Sequence, residues 1–545
     1  MRKINIFAAI FALLSVAMTG CTGEFEYFNT DKHSATEGQM SHDNLKTGAF
    51  FRQLQRSVVF FQYGSDETFT DGVHQMTQNL NSDSYAGYLT PTIETNSGTH
   101  MGSYSMSPES WVNAQYNYTF TYAMPAWLSL KETADELGQP EVAALGTIVK
   151  VAAMHRTTDY YGPIPYVSFG DGSINSLYDS QEDVYNKFFE ELDGAIDELT
   201  QFSVANPGVS IMADYDYVYG GDVTRWIKFA NTLRLRLALR VVYANASLAQ
   251  TEATKSLNHS IGCMTDVNDG AALNRVADLS TYHHPLYMIV TSFGNAGSET
   301  VMGASMDAYM NGYQDPRRAA YFVPAPTDGS YHGVRPGVRT TTWTNLRSTS
   351  GYVSIPVVDA TSMKIVWMNA SEAYFLRAEA ALRGWGGDAQ SLYEQGIRMS
   401  FDENKVSGAD TYLTNTNRSG TFTYTPQTRL SSLSGSSSVT NIPRIAWNAS
   451  DTFEVNLERI IIQKWISMYP NGPEGWAEAR RTGYPKLLPV VNNNSGGAVA
   501  TGSLIRRISF PPSEVTNNPE GVASGVAKLG GPDNVGTRLW WDCKN

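Results

Sequence analysis

The spacing of apolar residues along the chain predicts a largely helical protein. Phe51, Leu54, Val58 and Phe61 recur at intervals of three and four residues, which is typical of one buried helical face. The same spacing predicts further helices over 141–157, 180–199, 222–243, 369–401, 452–469 and 473–481.

One of these segments has the form of a helical hairpin. Small and apolar residues (Ala373, Leu376, Ala380, Ala381) give its first helix a close-packing face, and Gly384-Trp385-Gly386-Gly387 turns the chain. The second helix begins at Asp388 and places Ala389 four residues before Tyr393, a spacing that resembles a tetratricopeptide hairpin. The helices over 141–157 and 180–199 fit the same template with a longer connection. We therefore predict an all-α fold, a tetratricopeptide-like helical-repeat scaffold.

Three long stretches interrupt the helical pattern. Residues 64–110 are rich in Asn, Ser, Asp, Gly, Tyr and Met, and two insertions, at about 263–351 and 406–447, are rich in Gly, Ser, Thr, Pro and aromatic residues. Long irregular stretches in a compact domain are often functional. We predict large irregular loop insertions that form a ligand-binding face.

The first residues of the chain predict export and lipid anchoring. Arg2 and Lys3 precede a nearly continuous apolar run from Ile4 to Met18, which is too short to span a bilayer. Met18-Thr19-Gly20-Cys21 then resembles a bacterial lipobox, so we expect residues 1–20 to be a signal peptide and Cys21 to be lipidated. An ordinary signal peptide with a chance cysteine is the alternative. Residues 21–43 would be a lipidated tether and residues 44–545 the helical body.

Composition and charge narrow the class of ligand. The 545-residue chain has a net charge of -13 and no basic run, which argues against nucleic acid. Its thirty Tyr and eleven Trp suit polar, uncharged ligands that bind by stacking and hydrogen bonding. If Cys21 is acylated, only Cys263 and Cys543 are left, and whether they form a disulfide stays open.

Five stretches of the chain together resemble the SusD/RagB family of outer-membrane nutrient-binding lipoproteins. They are Asp159–Tyr166, Gly221–Trp226 running into Asn231–Arg234, Glu372–Ala380, Gly475–Pro485 and Arg507–Glu514. The resemblance implies an all-α fold with four tetratricopeptide-like helix pairs. It also implies a lipid-anchored, surface-exposed outer-membrane protein that partners a SusC-like TonB-dependent transporter and captures oligosaccharides or, in some branches, peptides, without catalysis.

The family motifs imply scaffold roles and do not indicate the ligand residues, which vary within the family. We therefore place the candidates where aromatic and polar side chains occur together in irregular segments, since rings stack on sugars and Asn or Asp binds hydroxyls and amides. For each candidate, packing against its own loop is the alternative. The candidate ligand residues are Asn81, Asp83, Tyr85, Tyr88, Trp111, Tyr331 and Trp343.

The sequence gives no signature of a catalytic or metal centre. His-Glu-x-x-His, Gly-x-Ser-x-Gly, phosphate-loop and Cys-x-x-Cys patterns are all absent. Residues 171–182 carry oxygen ligands at calcium-loop spacing, but Ser176 stands where the loop requires glycine. For His283 and His284, packing is favoured over metal binding. We expect no cofactor and no metal.

Three hypotheses follow for function. The first is a surface lipoprotein that binds glycans or peptides and serves a transporter. The second is a surface glycosidase, because a pair of carboxylates only has to be close in space. The third is a repeat scaffold that binds no small ligand. The resemblance favours the first.

Overall fold

In a computed structural model of the chain, the described residues are 44–61, 70–92, 100–107, 109–172, 176–274, 284–291, 298–338, 350–359, 362–431 and 434–544. The predicted signal peptide, Cys21, the tether and Trp343 lie outside these ranges.

Helices dominate the described part of the chain. Two π-helical turns, Gln75–Asn79 and Thr119–Ala123, continue the helices that end at His74 and Tyr118. The helices are α1 (Leu45–Arg56), α2 (Thr70–His74), α3 (Ser82–Tyr85), α4 (Glu109–Tyr118), α5 (Met124–Leu137), α6 (Pro140–Tyr161), α7 (Gln181–Ala205), α8 (Val223–Arg240), α9 (Ala246–Asn258), α10 (Pro285–Thr291), α11 (Ala304–Tyr313), α12 (Arg318–Tyr321), α13 (Ala370–Leu382), α14 (Ala389–Glu403), α15 (Ala409–Leu413), α16 (Phe453–Ser467), α17 (Gly472–Thr482), α18 (Pro512–Asn517) and α19 (Pro519–Lys528).

Short strands pair two by two between the helices. Each pair is antiparallel, and the registers include Leu89 opposite Met302 and Phe422 opposite Val439. The strands are β1 (Leu89–Pro91), β2 (Ala271–Leu273), β3 (Thr300–Met302), β4 (Phe322–Val323), β5 (Ile355–Pro356), β6 (Ile365–Met368), β7 (Gly420–Tyr424) and β8 (Ser437–Ile442). They pair as β1–β3, β2–β6, β4–β5 and β7–β8.

The predicted all-α, tetratricopeptide-like scaffold is confirmed. Helices α6 and α7 pack together, and so do α13 and α14, the two hairpins that the sequence indicates. The apolar stripe of α7 is buried throughout, from Val184 to Leu199. The Oγ atom of Ser180 accepts the N–H of Asp183 at 3.1 Å and fixes the start of α7.

The start of α13 and the stretch at 70–85 both depend on tertiary contacts. Asn369 stands at the N-cap of α13, but its side chain donates to the carbonyl of Ser467 instead of capping. The N–H of Ser371 is accepted by Glu403 at 2.9 Å, so a carboxylate from the end of α14 caps this helix. Residues 70–85, within a stretch predicted to be irregular, are mostly helical because they pack against α17 and α4.

A buried ion cluster joins α8, α13, α16 and α17. Arg236 lies 2.6 Å from Glu372, and Arg240 lies 2.5 Å from Glu474. Arg481 contacts the carboxylates of both Glu379 and Glu478, at 2.7 and 2.6 Å. The cluster consists of Arg236, Arg240, Glu372, Glu379, Lys464, Glu474, Glu478 and Arg481, all under 6% exposed. Glu372, Glu379, Glu478 and Arg481 belong to the family motifs, and the cluster as a whole joins the four helices.

Candidate functional site

A central cavity of about 380 Å³ opens where the ends of α14 and α16 meet β6. Its mouth carries Ser362, Lys364 and Lys405, which are exposed, whereas its floor carries Gln78 and Asp83, which are buried. The volume falls within the range of ~300–1,000 Å³ that is usual for small-ligand sites.

A chain of hydrogen bonds crosses the floor of the central cavity. Gln78 donates to Asp83 at 3.1 Å and accepts from Arg156 at 3.4 Å. Arg156 also donates to Asn471 at 3.0 Å and to the carbonyl of Val58 at 2.7 Å. Elements that are far apart in sequence therefore position one polar surface.

Burial shifts the pKa values of Asp83 and Arg156, the two charged groups on this floor. It raises the pKa of the Asp83 carboxyl to about 7, although hydrogen bonds from Gln78, Asn79 and the N–H of Gly472 act in the opposite direction. It lowers the pKa of the Arg156 guanidinium to about 10. Gly472 has to be glycine here, because an added Cβ would lie 2.2 Å from the Asp83 carboxylate.

Two neutral histidines line another wall. The rings of His74 and His284 meet edge to face, with centroids 6.3 Å apart. Burial lowers the pKa of His74 to about 3 and that of His284 to about 4, so both are uncharged at neutral pH. This contact supports a packing role for His284, while His283 lies outside the described residues.

The central cavity thus offers both hydrogen-bond donors and acceptors. Its amides and neutral imidazoles suit hydroxyl and amide groups, and Arg156, Lys364 and Lys405 add positive charge to the lining. Among the described residues, no group of three or more His, Cys, Asp or Glu side chains is placed to hold a metal ion.

The sequence-predicted ligand residues divide into two groups. Asp83 lines the central cavity, but Asn81, Tyr85 and Tyr88 lie in the hydrophobic core, each no more than 2% exposed. The hydroxyl of Tyr88 donates to the carbonyl of Trp465 at 2.5 Å, and that of Tyr85 donates to the carbonyl of Met101 at 2.9 Å. This corrects the expectation that these three residues line an open loop.

Trp111 and Tyr331 are half-buried. Trp111 lies in α4 and packs at the edge of the core. The ring of Tyr331 lies 4.9 Å from the guanidinium of Arg318, and its carbonyl accepts from Asn311 at 3.0 Å. The contacts of Trp111 and of Tyr331 involve different elements, so the structure does not place these two residues in one site.

Gln78, Arg156 and His74 were missed because none carries a local sequence signal, whereas His284 was considered and given a packing role. Arg156 stands in a regular helical pattern, and its partners arrive from positions 78 and 471. Cys263 and Cys543 are both free thiols, so the disulfide left open by the sequence is not formed.

Comparison with known proteins identifies the family. The model of the SusD-like family, the SusD and RagB outer membrane lipoproteins, matches residues 27–542. No curated protein matches the chain. None of the helices in the described ranges combines the length and apolar content needed to cross a membrane.

Solved structures resemble the chain over nearly its full length. A chitin-binding SusD homolog from Flavobacterium johnsoniae is 37% identical, with a TM-score of 0.82, and the match covers 92% of this chain and 99% of that one. A SusD homolog from Bacteroides uniformis is 34% identical, with a TM-score of 0.83 and coverage of 92% and 100%. The family model and these solved structures lead to the same conclusion: the chain belongs to the SusD-like family of outer membrane lipoproteins.

Proposed function

We propose that this protein captures oligosaccharides at the cell surface and delivers them to a SusC-like TonB-dependent transporter, without breaking bonds. The observation that carries the proposal is the 37% identity, over 92% of the chain, to a SusD homolog described as chitin-binding. The amide and imidazole donors and acceptors of the central cavity support a ligand rich in hydroxyl and acetamido groups.

Calorimetric titration with matched ligands tests the binding step. Chito-oligosaccharides and cello-oligosaccharides differ in the acetamido group, so we expect saturable heat with the former and weaker heat with the latter. Saturable heat with peptides alone would move the protein to a peptide-binding role and refute the proposal.

Blocking the mouth of the central cavity tests where the ligand binds. Lys364 is exposed at the mouth, so Lys364→Trp should weaken chito-oligosaccharide binding without disturbing the core. Lys131→Trp is the matched control, because the side chain of Lys131 is 45% exposed on α5. Equal affinity in both variants would exclude the central cavity as the site.

The aromatic positions proposed from the sequence need a separate test. We expect at least one of Trp111→Ala, Tyr331→Ala and Trp343→Ala to weaken binding, because stacking on a ring is a main source of sugar affinity. Full affinity in all three variants would remove these positions from the site.

The remaining steps are tested on cells and on products. Co-purification of the protein with a SusC-like transporter, and loss of glycan uptake when the protein is deleted, are the expected results. Release of shortened glycans, abolished by removing one carboxylate, would instead establish the glycosidase hypothesis.

A further inference from the structure

A second concavity, the C-terminal groove, lies away from the central cavity. It has a volume of about 740 Å³ and is bounded by the end of α17, the residues that follow it, the loop at 502–506 and the C-terminal residues 538–544. Its lining shares no residue with that of the central cavity. The groove is therefore a separate place for a ligand to bind.

The C-terminal groove is cationic although the chain as a whole is acidic. Among the described residues that line it, four are cationic (Arg480, Arg506, Arg538 and Lys544) and one, Glu454, is a carboxylate. The carboxylate of Asp542 lies behind the wall, 3.2 Å from Arg506 and 3.9 Å from Arg538. Lys544 contacts Glu454 at 2.7 Å. Two carboxylates thus face four cations, in a chain whose net charge is -13.

Among the described residues that line the groove, Arg480 is the cation that forms no ion pair with these carboxylates, although Asp542 attracts it. Arg480 is only 2% exposed, and in the described part of the chain it forms no ion pair and its Nη2 atom has no hydrogen-bond partner. Its Nη1 atom donates to the carbonyls of Asp159 and Arg506, at 2.7 and 2.8 Å. The guanidinium packs between the rings of Trp476 and Trp541, with centroids 3.5 and 4.8 Å away.

This arrangement leaves a buried positive charge in the groove wall, with one buried N–H donor that has no acceptor. Burial lowers the pKa of Arg480 to about 9, since desolvation outweighs the attraction of Asp159 and Asp542. A buried charge without a partner is costly, and a perturbed group in a concavity is a candidate for ligand binding. Cation–π contact with the two indoles offsets part of that cost but leaves Nη2 without an acceptor.

We propose that the C-terminal groove binds the carboxylate of an acidic saccharide of the uronic-acid type. Guanidinium groups bind carboxylates in a planar, two-bond geometry, and Arg506 and Arg538 supply two of them, while the buried Arg480 adds its positive charge from within the wall. The half-buried ring of Tyr484 and the prolines at 485 and 489 give the groove the apolar walls against which a sugar ring packs. The groove volume lies within the ~300–1,000 Å³ usual for small-ligand sites.

Calorimetry with the full-length chain in detergent tests this proposal with three probes: tri-galacturonic acid, the neutral galactose trisaccharide and triglutamate. We expect saturable heat with tri-galacturonic acid and none with the neutral sugar. Binding should weaken as salt rises from about 0.1 M to about 1 M, which shortens the Debye length from ~10 to ~3 Å. Equal binding of the neutral trisaccharide, or stronger binding of triglutamate, would overturn the proposal.

Variants at the rim of the C-terminal groove, which is formed by Arg538 and Lys544, locate the site without disturbing Arg480. Removing two charged hydrogen-bond donors with Arg538→Gln/Lys544→Gln should weaken tri-galacturonate binding by about tenfold or more. The matched control is Arg225→Gln/Lys131→Gln, which also removes one Arg and one Lys, with side chains 41% and 45% exposed. Wild-type affinity in the rim variant, or the same loss in the control, would overturn the assignment.

Two further measurements keep the result unambiguous. If the double variant melts early, the single variant Arg538→Glu replaces it, because that side chain is 47% exposed. Chito-oligosaccharide binding is measured on the same rim variants and should not change. The proposed surface capture and the proposed binding of an acidic saccharide in the C-terminal groove can therefore fail independently.

Discussion

Replacing Arg481 by methionine should destabilise the protein strongly, because the change removes the cation that joins two buried carboxylates. Arg481 donates to both oxygens of Glu379, at 2.8 and 2.7 Å, and to Glu478 at 2.6 Å. All three side chains are no more than 3% exposed. In the variant, Glu379 keeps Arg383 and Glu478 keeps Lys464, at 2.8 and 3.4 Å, but the link between α13 and α17 is lost.

The expected loss follows from the cost of a broken buried ion pair, about 3–5 kcal/mol. An unfolding entropy of about 2.1 cal/mol/K per residue gives roughly 1 kcal/mol/K for a chain of this length, so the melting temperature should fall by about 3–5 °C. The melting temperature of Arg481→Lys should lie between those of the wild type and Arg481→Met, because lysine keeps the charge but cannot bond both carboxylates in the same plane.

Thermal unfolding followed by tryptophan fluorescence measures this shift, with Lys131→Met as the control. Lys131 pairs with Asp135 at the surface of α5, where both side chains are about half exposed, and such pairs contribute about 0–1 kcal/mol. A shift for Arg481→Met no larger than that of the control would refute the argument that the ion cluster fixes the scaffold.

Three further outcomes are expected. Burial raises the pKa of the Glu403 carboxyl from 4.5 to about 7, so its contribution to stability is present below about pH 4.5 and is lost as the pH rises through 7. At pH 9, Glu403→Gln should therefore be more stable than the wild type by roughly 3 kcal/mol in the free energy of unfolding, and it should melt at a higher temperature. If the difference in melting temperature between variant and wild type is the same at pH 5 and pH 9, this prediction is contradicted. Tyr88→Phe loses the hydrogen bond to Trp465, about 1 kcal/mol in thermal unfolding, and should leave chito-oligosaccharide affinity unchanged in calorimetry; weaker binding would restore Tyr88 to the ligand site. Gly475→Ala places a Cβ 2.8 Å from the buried ring of Tyr88, and overpacking of about 1–3 kcal/mol should lower the melting temperature, whereas wild-type melting would show that the ring can shift.

The helices could be predicted because their signal is local. The stripe from Val184 to Leu199 and the cap at Ser180 both appear within a few turns of sequence, and α7 forms where they indicate. The predicted end of α7 was less accurate, because the helix continues to Ala205, beyond Leu199, the last buried residue of the stripe.

The candidate site was harder to predict because the sequence does not show whether a polar or aromatic residue outside a periodic pattern is buried or exposed. Tyr88 and its neighbours form a polar, aromatic segment that is typical of a surface loop. In the structure the ring of Tyr88 stacks on Trp465 with centroids 5.1 Å apart, a contact across 377 residues of chain. This segment belongs to the core only because α16 and α17 pack against it.

The sequence by itself determined the helical class, the family motifs, the pairing of helices into hairpins and the expectation of a lipid anchor, because each depends on periodicity or on contiguous residues. The tertiary structure alone decided which charges are buried together and where the concavities lie. Arg156 and Asp83 share a floor, and Arg480 lacks a carboxylate partner in the described part of the chain, because of packing between distant segments. Burial sets the electrostatic cost of each of these groups, and burial is a property of the assembled fold.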